Sequence, residues 1–186
     1  MSKIDQLVQS YRRHTAIPLK QNVTIAERTW FVVYPPEEER RLLSRLAEFE
    51  IATKDSGLFW QGIDLAGSFT RWLDTFEDEA ERASTMATPA IVEDYADPGF
   101  RDYLANIIRQ AVTTAPPDEA DRTVFAISGL MELYDFIHVS EVIDALGKNL
   151  HGVLLLFFPG EREENTYRFL GARTGWDYLA TPITME

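Results

Sequence analysis

The segment from Gly152 to Glu161, GVLLLFFPGE, is apolar at every position from Val153 to Phe158, then meets Pro159-Gly160 and turns polar. A strand with one wet face would alternate apolar and polar residues. An unbroken run of Val, Leu and Phe instead fits a strand covered on both faces, which is the mark of a parallel sheet flanked by helices. Trp30 to Tyr34 (WFVVY) and Thr123 to Ser128 (TVFAIS) have the same character, and Leu58 to Leu65 (LFWQGIDL) reads as a further strand.

The segments between these strands read as helices. Ser2 and Asp5 form a reciprocal cap, and Ile4, Leu7, Val8 and Tyr11 follow at helical spacing. After Pro35-Pro36, Glu37, Glu38 and Glu39 suit a first helical turn, and Leu42, Leu43, Leu46 and Phe49 continue it as one amphipathic helix. Gly57 stops that helix. Ser68 is the expected cap of the next, which carries Phe69, Trp72, Leu73 and Phe76.

The acidic stretch around STMATPAIVEDYADPG reads as a solvated excursion. A helix is expected after it at about residues 98–113, with a stripe of Phe100, Tyr103, Leu104, Ile107, Ile108, Ala111 and Val112. Ser140 to Leu146 reads as a short helix. Two β-like segments close the chain, Tyr167 to Leu170 and Tyr178 to Ile183, joined by a turn from Gly171 to Trp176. Strands alternating with helices predict one three-layer α/β domain over residues 1–186 with a mostly parallel central sheet. The topology expected is P-loop-like or Rossmann-like, with any site at the carboxyl ends of the strands.

With 30 acidic against 18 basic residues, the formal net charge of -12 sets the bulk surface against phosphate backbones and anionic membranes, so direct nucleic-acid binding is not expected. The basic cluster Arg12-Arg13-His14, with Lys20 nearby, reads as a solvated helix end. The absence of cysteine removes disulfides and thiolate zinc sites and fits a reducing cytoplasm. No apolar leader opens the chain and no apolar run is long enough to span a bilayer, so a cytoplasmic protein is expected.

Three catalytic signatures fail. Neither G-x-x-x-x-G-K-[ST] nor G-x-G-x-x-G occurs, and the one Gly-Lys pair, Gly147-Lys148, follows an expected helix instead of opening one. Gly67-Ser68 and Ser128-Gly129 lack the nucleophile elbow, and His138 beside Asp135 and Ser140 has only sequence proximity. The residues carried to the carboxyl edge are Pro35 to Glu39, Asp64, Ser128 and Glu161. Asp64 and Glu161 could hold a divalent cation for phosphotransfer or nuclease chemistry, and a degenerate nucleotide-sensing edge is a further alternative. Arg162, Arg168 and Arg173 could fork onto an anion, and Trp176 could anchor a partner, although acidic neighbours and the core are the plainer destinations.

Three blocks then carry a resemblance: WFVVYPPEEERRLLSRLAEFE, TVFAISGLMELYDFIHVSEVIDAL and LLLFFPGEREENTYRFLGARTGWDYLATPI. Together they resemble the BrxB family, a small component of the bacteriophage exclusion (BREX) defence systems of bacteria and archaea, over nearly the whole chain. The sequence departs from the family's pattern at Glu161 to Asn165, where a glycine is expected. The resemblance implies work beside a methyltransferase, a large ATPase and the alkaline-phosphatase-like protein PglZ. It brings no catalytic residue, metal or cofactor. The function expected is therefore a non-enzymatic adaptor that binds PglZ or another BREX component. An exposed apolar and acidic surface would serve, on the helix bearing Phe69, Trp72 and Phe76 or on the C-terminal segment with Glu161, Arg168 and Trp176.

Overall fold

The computed structural model describes residues 2–20, 23–78, 89–133, 139, 143, 150–164, 166–169, 176–177 and 179–185, with the backbone alone at 89–98, 133, 169 and 176–177. The short helix expected at Ser140 to Leu146 lies outside the described residues except for Ile143. So do His138, residues 171–175 of the expected turn, Arg173 and Tyr178.

Strands β1 (Thr29–Tyr34), β2 (Phe59–Asp64), β3 (Thr123–Ser128), β4 (Val153–Glu163) and β7 (Thr181–Ile183) form a parallel sheet in the order β2-β3-β4-β1-β7. β5 (Thr166–Phe169) pairs antiparallel with the far end of β4, and β6 (Trp176–Asp177) pairs with β5, so β4 leaves the sheet as the root of a small arm. In the dinucleotide-binding topology the first strand lies between the second and the fourth. Here β1 lies between β4 and β7, which corrects the Rossmann-like alternative. A strand between the first and third is the P-loop-like order, and order alone carries no activity with it.

Every residue of β1 and β3 is buried, as are the first eight positions of β4, because both sheet faces are covered. One face packs Trp30, Val32, Leu155 and Phe157 against α1 (Lys3–Thr15), α2 (Glu39–Leu43) and α3 (Leu46–Asp55). The other packs Phe31, Val33, Leu154, Leu156 and Phe158 against α4 (Ser68–Leu73) and α5 (Pro89–Thr113). Each large side chain removed from water here contributes about 1.5–3 kcal/mol. The sheet therefore holds the domain together from both sides.

The start of α1 follows the expected cap: Ser2 Oγ accepts from Asp5 N at 3.1 Å and Asp5 Oδ2 accepts from Ser2 N at 2.6 Å. Three local expectations are corrected. The helix after Pro36 is broken at Ser44–Arg45, where the Arg45 guanidinium binds Glu48 and reaches Asp5 at 2.7 Å. Gly67, in the left-handed conformation, occupies the cap position of α4, while Ser68 is buried and donates to the Leu65 carbonyl.

The third correction concerns α5, which begins at Pro89 instead of near residue 98. Pro98 removes one backbone donor without stopping the helix, which the buried stripe Phe100, Leu104, Ile108 and Val112 holds against the sheet. In the arm, Glu164 adopts φ 54°, the left-handed turn conformation at the place where a glycine is expected.

Candidate functional site

The carboxyl edge is the place where such sheets ordinarily keep their ligands. The chain leaving β1 presents Pro35 and Pro36, which have no N–H to offer a phosphate, and then three glutamates that repel one. Each carboxylate there is engaged at home. Glu37 faces Lys3 at 3.8 Å and the buried Glu38 faces Arg41 at 3.4 Å. Glu39 accepts a short hydrogen bond from the Tyr34 hydroxyl, which also lies 3.3 Å from the Phe157 carbonyl.

Burial, with the Asp64 charge adding to it, raises the Glu39 carboxyl above its ordinary range, against the lowering effect of the Tyr34 bond. Burial chiefly, and then Glu39, drives the Tyr34 phenol far above its ordinary value, so it stays protonated and can donate to Glu39. Asp64 is exposed, but its Oδ1 accepts from Ala66 N at 3.0 Å and from Ser128 Oγ at 3.4 Å, closing its own turn and tying β2 to β3.

The structure therefore brings Asp64 to Ser128 and to the field of Glu39. Glu161 lies two strands across the sheet, on the exposed arm, in register with Arg168. Arg168 ion-pairs with Glu163 at 3.0 Å. Among the described residues no group of three or more His, Asp or Glu side chains could hold a metal ion.

Trp72 is only 7% exposed and packs on Phe69, Phe76 and Phe100 with ring centroids 5.0–5.7 Å apart. Phe69 and Phe76 are partly buried against the same core. This cluster is thus mainly interior, which removes Trp72 from the exposed surface expected of α4. Trp176 pairs in β6 opposite Tyr167, whose hydroxyl donates to the Ala180 carbonyl at 3.0 Å and roots the arm in the core.

The opposite edge, where the strands begin, carries a feature that no sequence motif marks. A hollow of about 800 Å³ opens there between the end of α1, the segment before β1, and the starts of β1, β2, β3, β4 and β7. Trp30, Leu58, Ile17 and Leu19 supply apolar lining. His14 stands edge-on to Trp30 at 4.4 Å, and burial lowers its pKa, favouring the neutral ring.

The charged lining is Lys20, Glu27, Arg28, Asp121 and Arg122. Glu27 spends its carboxylate on the Thr24 backbone and hydroxyl at 2.9 Å, and Asp121 faces His151 at 3.3 Å. Arg28 donates to the Leu150 carbonyl and Arg122 stacks over Phe59. Among the described residues, none of Lys20, Arg28 and Arg122 is in an ion pair. The basic cluster of α1 divides accordingly: Arg12 pairs with Asp55 at 3.2 Å on the surface, while His14 turns into the hollow. Linear sequence could flag only Lys20 and His14. The rest of the lining comes from distant segments.

Comparison with protein-family models, with curated proteins and with solved structures finds no match. Among the described residues, no helix is long and apolar enough to cross a membrane.

Proposed function

We propose that this chain is a non-enzymatic assembly subunit of a bacteriophage exclusion (BREX) system, acting in the cytoplasm by binding the PglZ component. The BrxB-like blocks suggest that setting. The observation that carries the non-catalytic part of the reading is the carboxyl edge, where prolines stand in place of phosphate-binding amides and Glu37, Glu38, Glu39 and Asp64 are engaged by the chain's own groups. Folds of this class can keep their architecture while the chemistry at the strand ends is lost.

The competing reading, metal-dependent phosphotransfer through Asp64 and Glu161, draws less from this geometry. Asp64 closes a turn and Glu161 stands on the arm. A nucleotide sensor would need a phosphate cradle that Pro35-Pro36 does not provide. Nucleotide at 100 times its dissociation constant would add about 2.7 kcal/mol of stability, so a thermal shift scan reads that alternative directly.

The test of the assembly reading is co-purification. Tagged full-length chain from a host expressing the entire system should retain PglZ. Loss of every other system component at low salt, with the tag at either end, would defeat the reading.

A further inference from the structure

The amino-edge hollow differs from the rest of the molecule in the sign of its available charge. On a chain of formal net charge -12, three cations line one concavity: Arg28 and Arg122 form no ion pair among the described residues, Lys20 shares its field with Glu27, and the acidic lining residues Glu27 and Asp121 also bond Thr24 and His151. Ile17 projects there 60% exposed, beside the half-buried Leu58 and above the nearly buried Trp30. Exposed apolar area beside cations that make no salt bridge leaves both kinds of contact available to a ligand.

A volume of about 800 Å³ lies within the ordinary range of ligand sites. A phosphate would use the cations but leave the apolar lining uncovered. An aliphatic segment would do the reverse. A ligand that satisfies both parts carries carboxylates spaced around an apolar side chain, which is the chemistry of an acidic linear peptide.

We infer that the amino-edge hollow is the docking site for an acidic linear segment of a partner protein, with an apolar side chain against Trp30, Leu58 and Ile17 and carboxylates toward Lys20, Arg28 and Arg122. This deepens the assembly reading and rests on it for the partner's role, but the site's chemistry is testable without that partner. Charge complementarity at such a rim governs encounter and salt dependence, while the apolar anchor governs residence.

The experiment uses the full-length chain in two arms. In the first, fluorescence anisotropy follows a labelled twelve-residue peptide of glutamate, aspartate and leucine, with a counterpart carrying lysine at the acidic positions. The acidic peptide should bind, the lysine peptide should not, and about 0.5 M salt should weaken binding at least about tenfold. The Lys20→Glu, Arg122→Glu double variant should weaken it by a similar factor. Ile17→Asp, at an exposed position, should weaken it with an unchanged circular dichroism spectrum.

In the second arm, the wild type and the double variant are compared for retention of PglZ. Retention by the wild type and loss by the variant supports the docking site. Equal retention by both overturns the site while leaving the assembly reading in place. No retention by the wild type sinks that reading, and the anisotropy arm then decides the site alone. Failure of the acidic peptide to bind, equal binding of the lysine peptide, or equal affinity in the variants overturns it. Binding of free acetate or inorganic phosphate as tight as the peptide would also overturn it, in favour of a small-anion site.

Discussion

At the carboxyl edge of the sheet Lys3 pairs with Glu37, Arg41 with Glu38 and Arg45 with Asp5 and Glu48, while Glu39 has only the neutral Tyr34 hydroxyl as donor. At the amino edge Arg28 and Arg122 are held by a carbonyl and a ring and not by a carboxylate, and Lys20 acts on Glu27 only through space. The strands are the same at both ends, so the difference comes from what the loops bring. Pro35-Pro36 and the arm rooted by Tyr167 furnish one edge, and the α1–β1 connection leaves the other concave. Topology directs attention to strand ends, but the local donor and acceptor chemistry decides which end is available.

The largest effects should come from the two glycines of β4 and its approach. A Cβ on Gly152, which holds φ 79°, would stand 2.4 Å from the Ala120 and Thr123 carbonyl oxygens. A Cβ on Gly160 would stand 2.1 Å from the Arg168 carbonyl oxygen. Neither contact is with a side chain that can swing away. Gly152→Ala and Gly160→Ala should each cost about 2–4 kcal/mol in chemical denaturation. Gly152→Ala should also disturb peptide binding at the hollow, whereas Gly160→Ala should spare it. Equal loss of binding in both would erase the distinction between the edges.

Tyr34→Phe should follow at about 1–2 kcal/mol, because the half-buried Glu39 carboxylate loses its donor. A smaller effect is expected from Glu39→Gln, and its sign depends on pH. The folded pKa of Glu39 lies above the unfolded value near 4.5, so the ionised carboxylate opposes folding above that range. The variant should therefore gain on the wild type in Tm at neutral pH. The gain should shrink as pH falls through the raised pKa toward 4.5. A difference constant from pH 8 to pH 4.5 would show that burial, with Asp64 added to it, does not raise the Glu39 carboxyl.

Arg45→Ala should have the smallest effect, since Arg45 and its partner Asp5 are both partly open to solvent and such pairs contribute little. Asp5 is held down to about 2 by the Ser2 backbone first and Arg45 second. Its stabilising contribution is present above the ordinary value of 3.8 and lost as pH falls from there to about 2. The Tm difference between Arg45→Ala and wild type should narrow over that window.

The sheet and its covered faces were legible because each strand announces itself locally. Val153 to Phe158 and Thr123 to Ser128 need no partner to be read as two-sided burial. The capped start of α1 was legible for the same reason. What failed was decided by contacts remote in sequence. Arg45 breaks the α2–α3 helix while held by Asp5, and Ser68 is drawn to Leu65 instead of capping. The helix expected at about residues 98–113 begins at Pro89, and the core contacts of Phe100 and Leu104 that hold it are not visible in sequence.

The candidate site divided in the same way. Asp64 does reach the carboxyl edge beside Ser128, whereas Glu161 continues along β4 into the arm. The hollow is assembled from Ile17, Arg28, Leu58, Arg122 and Gly152, which share no motif and meet only where the strands begin.

The proposed docking puts the working surface at the amino edge of the sheet and not at the carboxyl edge. The most direct measurement is parallel retention of PglZ by three tagged full-length chains: wild type, Lys20→Glu with Arg122→Glu, and Glu39→Gln with Asp64→Asn. Retention is expected of the wild type and the carboxyl-edge variant, and loss of the amino-edge variant. Retention by the amino-edge variant with loss by the carboxyl-edge variant, both correctly folded, would contradict that placement.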